Sequence, residues 1–181
     1  MLKIKIPESE QFNNSTGEFV TFKAQELTLE HSLLSVAKWE AKWHKPFLSK
    51  KGKTREEMLS YIECMIINGN VDPNVLYFIP IEEYEKIENY LKDPMTATEI
   101  YHMGPKKTSK RTVTAELVYC WMIQLNMDVE VFQKWHFNRL MTLIETCQVE
   151  TAPKKNMPKN AVLKHNSAVN AARRAAANSR G

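Results

Sequence analysis

Cysteine is scarce in this chain. Three residues in 181, Cys64, Cys120 and Cys147, stand far apart, each inside an apolar helical run. That usage argues against a disulfide framework and a paired-cysteine zinc site, and it fits three small core residues in a reducing compartment. Glycine is also rare, with five residues. The one stretch near a phosphate loop in character, SKKGKT at residues 49–54, lacks the glycine-rich run that presents several backbone amides to phosphate, which excludes a nucleotide-binding loop. No uninterrupted apolar run is long enough to cross a membrane, and the opening MLKIKIPESEQ lacks the apolar segment of a secretory signal. A cytoplasmic protein with no membrane partner is therefore expected. Internal repeats of useful length are missing as well.

Acidic residues are absent from 151–181, where Lys154, Lys155, Lys159, Lys164, Arg173, Arg174 and Arg180 give seven positive charges. The net charge of +4 hides this asymmetry, because residues 1–150 hold 18 basic against 21 acidic residues. A basic tail of this kind suits nucleic acid or an acidic protein surface, or is simply a solvated terminus. Its TAPKKNMPKN opening carries two prolines, while SAVNAARRAAANSRG has enough alanine and arginine for a conditional helix. A mildly acidic body, residues 1–150, and a basic, partly disordered or conditionally helical tail, residues 151–181, are the expected organisation.

The body reads as mainly α with a small β element (α+β). Residues 2–6, LKIKI, and 18–22, EFVTF, alternate apolar and polar side chains and predict two short antiparallel strands joined by a turn-rich connection. Two strands alone are marginal, so this hairpin must lie on helices or receive a strand from another molecule, with a homo-oligomer as one outcome. Thr28 is the expected cap of a helix reaching about Lys45, with Leu29, Leu33, Val36 and Trp43 on one face, Trp39 on the flank, and Glu30, Lys38, Glu40 and Lys42 covering the rest. Thr54 and Glu57 form a capping-box pattern ahead of a helix ending near Asn68 and Gly69. Asp72 and Pro73 open a short helical turn, and residues 81–92 predict a helix whose glutamates form its wet face.

A loop at 95–112, with Lys106, Lys107, Lys110 and Arg111, separates these elements from two helices between Thr112 and Val149. Leu117, Val118, Trp121, Met122 and Leu125 stripe the first, and Val131, Phe132, Trp135, Leu140, Leu143, Ile144 and Cys147 stripe the second. Asn126, Met127 and Asp128 form the joint, with a polar side chain to cap the second helix. The pair is expected to form the core around which the earlier helices pack, with Trp121 and Trp135 substantially buried.

Chemistry-bearing residues are thinly spread. His136 and Arg139, beside Lys134 and Trp135, share a helix face, but acid–base work needs a matched carboxylate and a cleft that the sequence does not locate. Structural hydrogen bonds or interface contacts are the more economical account. His31, His44, His102 and His165 form no metal motif, so neither metal nor other cofactor is expected. Candidate partner-binding residues are Trp39, Trp43, Trp135, His136 and Arg139, with the seven basic tail residues as further contact candidates.

TAELVYCWMIQLNMDVEVFQKWHFNRLMTLIETCQV, with LEHSLLSVAKWEAKWHKPF, VDPNV, DPMTAT and NSAVNAARRAAANSRG, resembles a family of tail assembly chaperones encoded among the structural genes of tailed bacteriophages. The resemblance runs across most of the chain and implies a non-enzymatic protein of the host-cell cytoplasm. Such a protein keeps the long tape measure protein soluble and recruits tail-tube subunits during tail morphogenesis. Unlike the two-product arrangement of better-known members, the chain ends in a basic tail with no long acidic extension. A nucleic-acid-binding accessory protein using the basic loop and tail is the alternative, and a small enzyme centred on His136 is a weaker third.

Overall fold

Residues Leu2–Ile6 (β1) alternate inward and outward, and in a computed structural model of the chain they pair antiparallel with Gln25–Leu29 (β4), from Leu2 opposite Leu29 to Ile6 opposite Gln25. Ser9–Asn13 (β2) pairs antiparallel with Glu18–Phe22 (β3). The structure describes residues 1–13, 17–69, 71, 73–100, 112–151 and 159–176. The expected pairing of LKIKI with EFVTF is therefore wrong. Each takes a different partner, and the two ladders follow one register, interrupted where Pro7 and Glu8 face Lys23 and Ala24. Proline brings no amide to a ladder, which accounts for the break at that point. Ile4, Ile6, Leu27 and Leu29 point into the core, while Lys3 and Glu26 pair at 3.3 Å on the outer face.

Thr28 lies inside β4 rather than capping a helix, because the ladder to β1 carries the chain on to Leu29. The cap is Ser32, whose hydroxyl accepts the Ser35 amide, and the helix is Leu33–Trp43 (α1). His44 ends it in the left-handed conformation, two residues before Pro46. The capping box holds: Thr54 accepts the Glu57 amide and Glu57 accepts the Thr54 amide, opening Arg55–Met65 (α2). A 3-10 helix spans Pro73–Phe78, and Ile81–Lys92 (α3) follows as expected.

Ala115–Gln124 (α4) leads through Asn126, in a left-handed conformation, to Asp128, which caps Val129–Phe132 (α5). The long second helix expected here is broken, since a separate helix, Phe137–Thr151 (α6), begins after Gln133–His136. The physical reason is competition for backbone groups. Leu34 donates to the Gln133 carbonyl at 3.1 Å, Phe137 donates to the His31 carbonyl at 2.7 Å, and Ser32 and His136 form an isolated antiparallel bridge. The backbone at 133–137 thus bonds the β4–α1 connection instead of continuing a helix.

Two compact units result, residues 1–148 and 149–181. The first is mainly helical with the small antiparallel β region, and its most deeply buried side chains include Trp39, Tyr61, Ile62 and Met65 of α1 and α2 with the apolar face of β1 and β4. Val118, Met122, Phe137, Leu140 and Ile144 join that core from α4 and α6. Trp121 and Trp135, expected to be buried, are only half-buried, with Trp121 packed at the edge of that core. Of the cysteines, expected in the core, Cys64 is half-buried and packed against it, Cys147 is half-buried and Cys120 is exposed. The second unit holds Lys159–Ala176 (α7). Among the described residues, no helix is long and apolar enough to cross a membrane.

Candidate functional site

Trp135, His136 and Arg139 do not act together. The break after α5 turns successive side chains in different directions, so His136 enters the interior while Trp135 stays half-buried at the surface beside Phe132, 4.7 Å between ring centroids. Arg139, one turn on in α6, lays its guanidinium over the Trp135 ring at 4.2 Å. Among the described residues Arg139 has no carboxylate at ion-pair distance, and Val131 nearby in sequence is 51% exposed. A planar cation stacked on an indole, with an exposed aliphatic side chain on the adjacent short helix, is the composition of a protein-contact anchor.

His136 belongs to a closed polar cluster. Its Nε2 meets the Tyr90 carbonyl at 3.1 Å, and its ring packs edge-on against Tyr90 and against His31 at 4.8 and 5.1 Å. His31 in turn hydrogen-bonds the Tyr61 hydroxyl through Nδ1. Tyr90 donates its hydroxyl proton to Glu30 Oε1 at 2.8 Å. Glu30, assigned from sequence to the wet face, is buried for this reason. Burial, then the neighbouring His136 and Lys53, lower the His31 pKa to about 3. Burial lowers that of His136 too, against the opposing hydrogen bond that its ring donates to the Tyr90 carbonyl, and burial raises Tyr61 well above the usual phenol range. The paired rings pack against Tyr61 of α2, Tyr90 of α3, Phe137 of α6 and Phe47, and two surface cavities of about 550 and 940 Å³ are lined by other residues. The cluster joins elements of the fold, with His31 and His136 only 4% and 5% exposed.

That arrangement makes stability depend on pH. A histidine whose folded pKa lies below its unfolded value of about 6.5 contributes fully above that value and loses its contribution as pH falls toward about 3. Urea unfolding between pH 7.5 and 5 is expected to show a declining free energy below pH 6.5, with a slope approaching about 1.4 kcal/mol per pH unit for each extra proton taken up on unfolding. His31→Asn should flatten that slope. A slope unchanged by the substitution would remove His31 from the acid response.

The remaining candidates divide between interior and surface. Trp39 is a core residue rather than a flank contact: it is 2% exposed, donates Nε1 to the Glu57 carbonyl at 2.8 Å, and stacks with Trp43 at 6.2 Å. It is withdrawn as a partner-binding residue, because a partner cannot reach a ring already covered. Trp43 is half-buried, donates to Ser60 Oγ at 3.1 Å, and has Lys45 over its ring at 5.5 Å. Arg173 and Arg174 are exposed in the last turn of α7. Lys159 and Lys164 lie along that helix, whereas Lys154, Lys155 and Arg180, and the loop residues Lys106, Lys107, Lys110 and Arg111, lie outside the described residues. Among the described residues, no three His, Cys, Asp or Glu side chains group as metal ligands.

Comparison with protein-family models, with curated proteins and with solved structures finds no match to this chain. The site therefore rests on its own geometry. Sequence spacing places His136 and Arg139 on one helix face, whereas the structure stacks Arg139 on Trp135 and turns His136 inward; the paired histidines are missed as well. His31 and His136 are 105 positions apart, and no local pattern marks their meeting.

Proposed function

We propose that this protein is a non-enzymatic assembly chaperone of a tailed bacteriophage, acting in the host-cell cytoplasm on the tape measure protein and, during tail morphogenesis, on tail-tube subunits. The observation that carries the reading is the Trp135–Arg139 stack, an aromatic–arginine anchor in which Arg139 of α6 lies over the half-buried ring of Trp135 in the α5–α6 connection. The resemblance of most of the chain to that chaperone family supplies the client. Phe12 and Phe19, 47% and 68% exposed and packed edge-on at 5.1 Å near the tip of the β2–β3 ribbon, supply a second apolar contact. A two-stranded ribbon is marginal by itself, so its edges also suit a homo-oligomer. The basic tail increases encounter rate or orients an acidic region of the client.

Co-expression with the adjacent tape measure candidate tests this. The full chain and residues 1–150 are both expected to keep the client soluble, because apolar segments are masked chiefly by the body, with a salt-dependent increment from the tail. Trp135→Ala together with Arg139→Ala should weaken client capture by about thirtyfold, the effect of losing a 2 kcal/mol contact. The second reading, a nucleic-acid-binding accessory protein, is favoured by the exposed Arg173 and Arg174. It requires binding that falls steeply with salt. Tight DNA binding by the full chain at near-physiological salt, with no client interaction by either form, would replace the chaperone reading by this one.

A further inference from the structure

The turn between α1 and α2, residues 45–54, and the approach to α4 at Thr112 and Val113 enclose a groove of about 940 Å³, within the size range of ligand-binding clefts. Four lysines line it, Lys45, Lys50, Lys51 and Lys53, against one carboxylate, Glu57. That carboxylate is already engaged. It accepts from Lys45 Nζ at 2.6 Å and from the Thr54 amide at 2.9 Å, and the Lys45 ammonium holds it below the usual carboxylate range.

Lys50, Lys51 and Lys53 have no carboxylate at ion-pair distance among the described residues. Lys53 is the most telling of the three. Its ammonium is half-buried, donates to the Phe47 carbonyl at 2.8 Å and sits 3.9 Å over the Phe47 ring and 5.7 Å over Trp39. The rings and the carbonyl hold this cation in place, and its nearest counter-charge, Glu57, lies beyond ion-pair distance and is already bonded to Lys45. Burial lowers its proton affinity accordingly, against the pull of Glu57. A partly desolvated cation of this kind gains more from an arriving anion than a fully hydrated surface lysine does.

The groove's walls indicate which anion. Pro46, Leu48 and Val113 present aliphatic surface, with Leu48 41% exposed. The one indole in the lining, Trp39, is 2% exposed and lies beneath Lys53, so it offers no face on which a base could stack. All four cations are lysines, compact point charges without the planar fork that grips phosphate in two places. Lysines between aliphatic walls suit spaced single carboxylates with apolar side chains between them.

We propose that the groove between residues 45–54 and Thr112–Val113 is a docking site for an acidic, aliphatic peptide segment of a partner protein. Its carboxylates meet Lys50, Lys51 and Lys53, and its apolar side chains lie on Pro46, Leu48 and Val113. This site is separate from the Trp135–Arg139 anchor and does not depend on the chaperone reading.

The test uses the full chain and a fluorescein-labelled synthetic peptide of alternating glutamate and leucine, with an oligo-dT of similar charge and a glutamate–serine peptide as comparison probes. Anisotropy titrations are expected to show the glutamate–leucine peptide binding more tightly than either comparison, and weakening as salt rises from about 50 to about 150 mM. Lys50→Glu with Lys51→Glu should weaken it at least about tenfold, whereas Lys23→Glu with Lys38→Glu, the same charge change at exposed lysines outside the groove, should change it less than about twofold. Amide and indole NMR shifts in the unsubstituted protein locate binding without any variant: Leu48, Gly52, Val113 and the Trp39 indole should move. Equal weakening by both double substitutions, shifts confined to other residues, or no binding would each overturn the site. Tighter binding of oligo-dT that is lost with Lys50→Glu and Lys51→Glu would make the groove a nucleic-acid site instead.

Discussion

Replacing Glu40 with alanine is expected to lower the unfolding free energy by about 2–6 kcal/mol. Glu40 is only 7% exposed, although it sits in a run of alternating charges. Its Oε1 accepts the Phe47 amide at 2.7 Å and its Oε2 the Ala115 amide at 2.8 Å, both in buried surroundings. The second bond is a helix cap supplied from afar. Thr114, at the N-cap of α4, makes no capping bond with its own side chain, and the carboxylate of α1 takes the first amide of α4 in its place. A negative group there also meets the positive end of the helix dipole. Alanine strands two buried donors at a cost of about 1–3 kcal/mol each. Glu40→Gln keeps one acceptor oxygen and should lose roughly half as much. Urea melts of the three proteins check the order, and an unchanged midpoint for Glu40→Ala would mean that water satisfies both amides.

Trp39→Ala should cost about 3–5 kcal/mol, the range for emptying a packed aromatic site, while Trp135→Ala should cost about 1 kcal/mol or less. The contrast follows from surroundings. Trp39 packs on Trp43 and edge-on to Phe47 at 5.3 Å, with its indole N–H bonded to the Glu57 carbonyl. Trp135 is half-buried, with Phe132 beside its ring and the exposed, charged Arg139 side chain over it. Denaturant unfolding of the two variants under identical conditions decides the matter. Equal losses would place Trp135 in the core and remove it as a contact anchor, whereas a small loss leaves its ring for a partner.

The capping box at Thr54 and Glu57, the α3 helix, the Asp128 cap and the mainly helical character follow from residues within a few positions of one another, and all are present. So is the existence of an N-terminal β element, although its partners are not those the alternation suggested. Alternation tells which side of a strand is apolar but does not choose between two neighbours of similar pattern. Pro7, which cannot donate to a ladder, was the local sign that the first strand would divide.

The helix expected to run unbroken from Asp128 to Gln148 has strong apolar periodicity throughout, and nothing within it foretells the break. The break exists because residues 31–34 bring backbone donors and acceptors to 133–137 from a hundred positions away. Glu30, Glu40, His31 and His136 follow the same rule. A charged or titratable side chain reads as exposed in sequence because water is its default partner, and it becomes buried only where another segment supplies a matching group: the Tyr90 hydroxyl for Glu30, the amides of Phe47 and Ala115 for Glu40, the Tyr61 hydroxyl for His31. Short-range hydrogen bonding and apolar spacing were settled by the order of the residues. Which polar groups leave water was settled by tertiary structure, because the free energy that offsets their desolvation comes from partners distant in the chain.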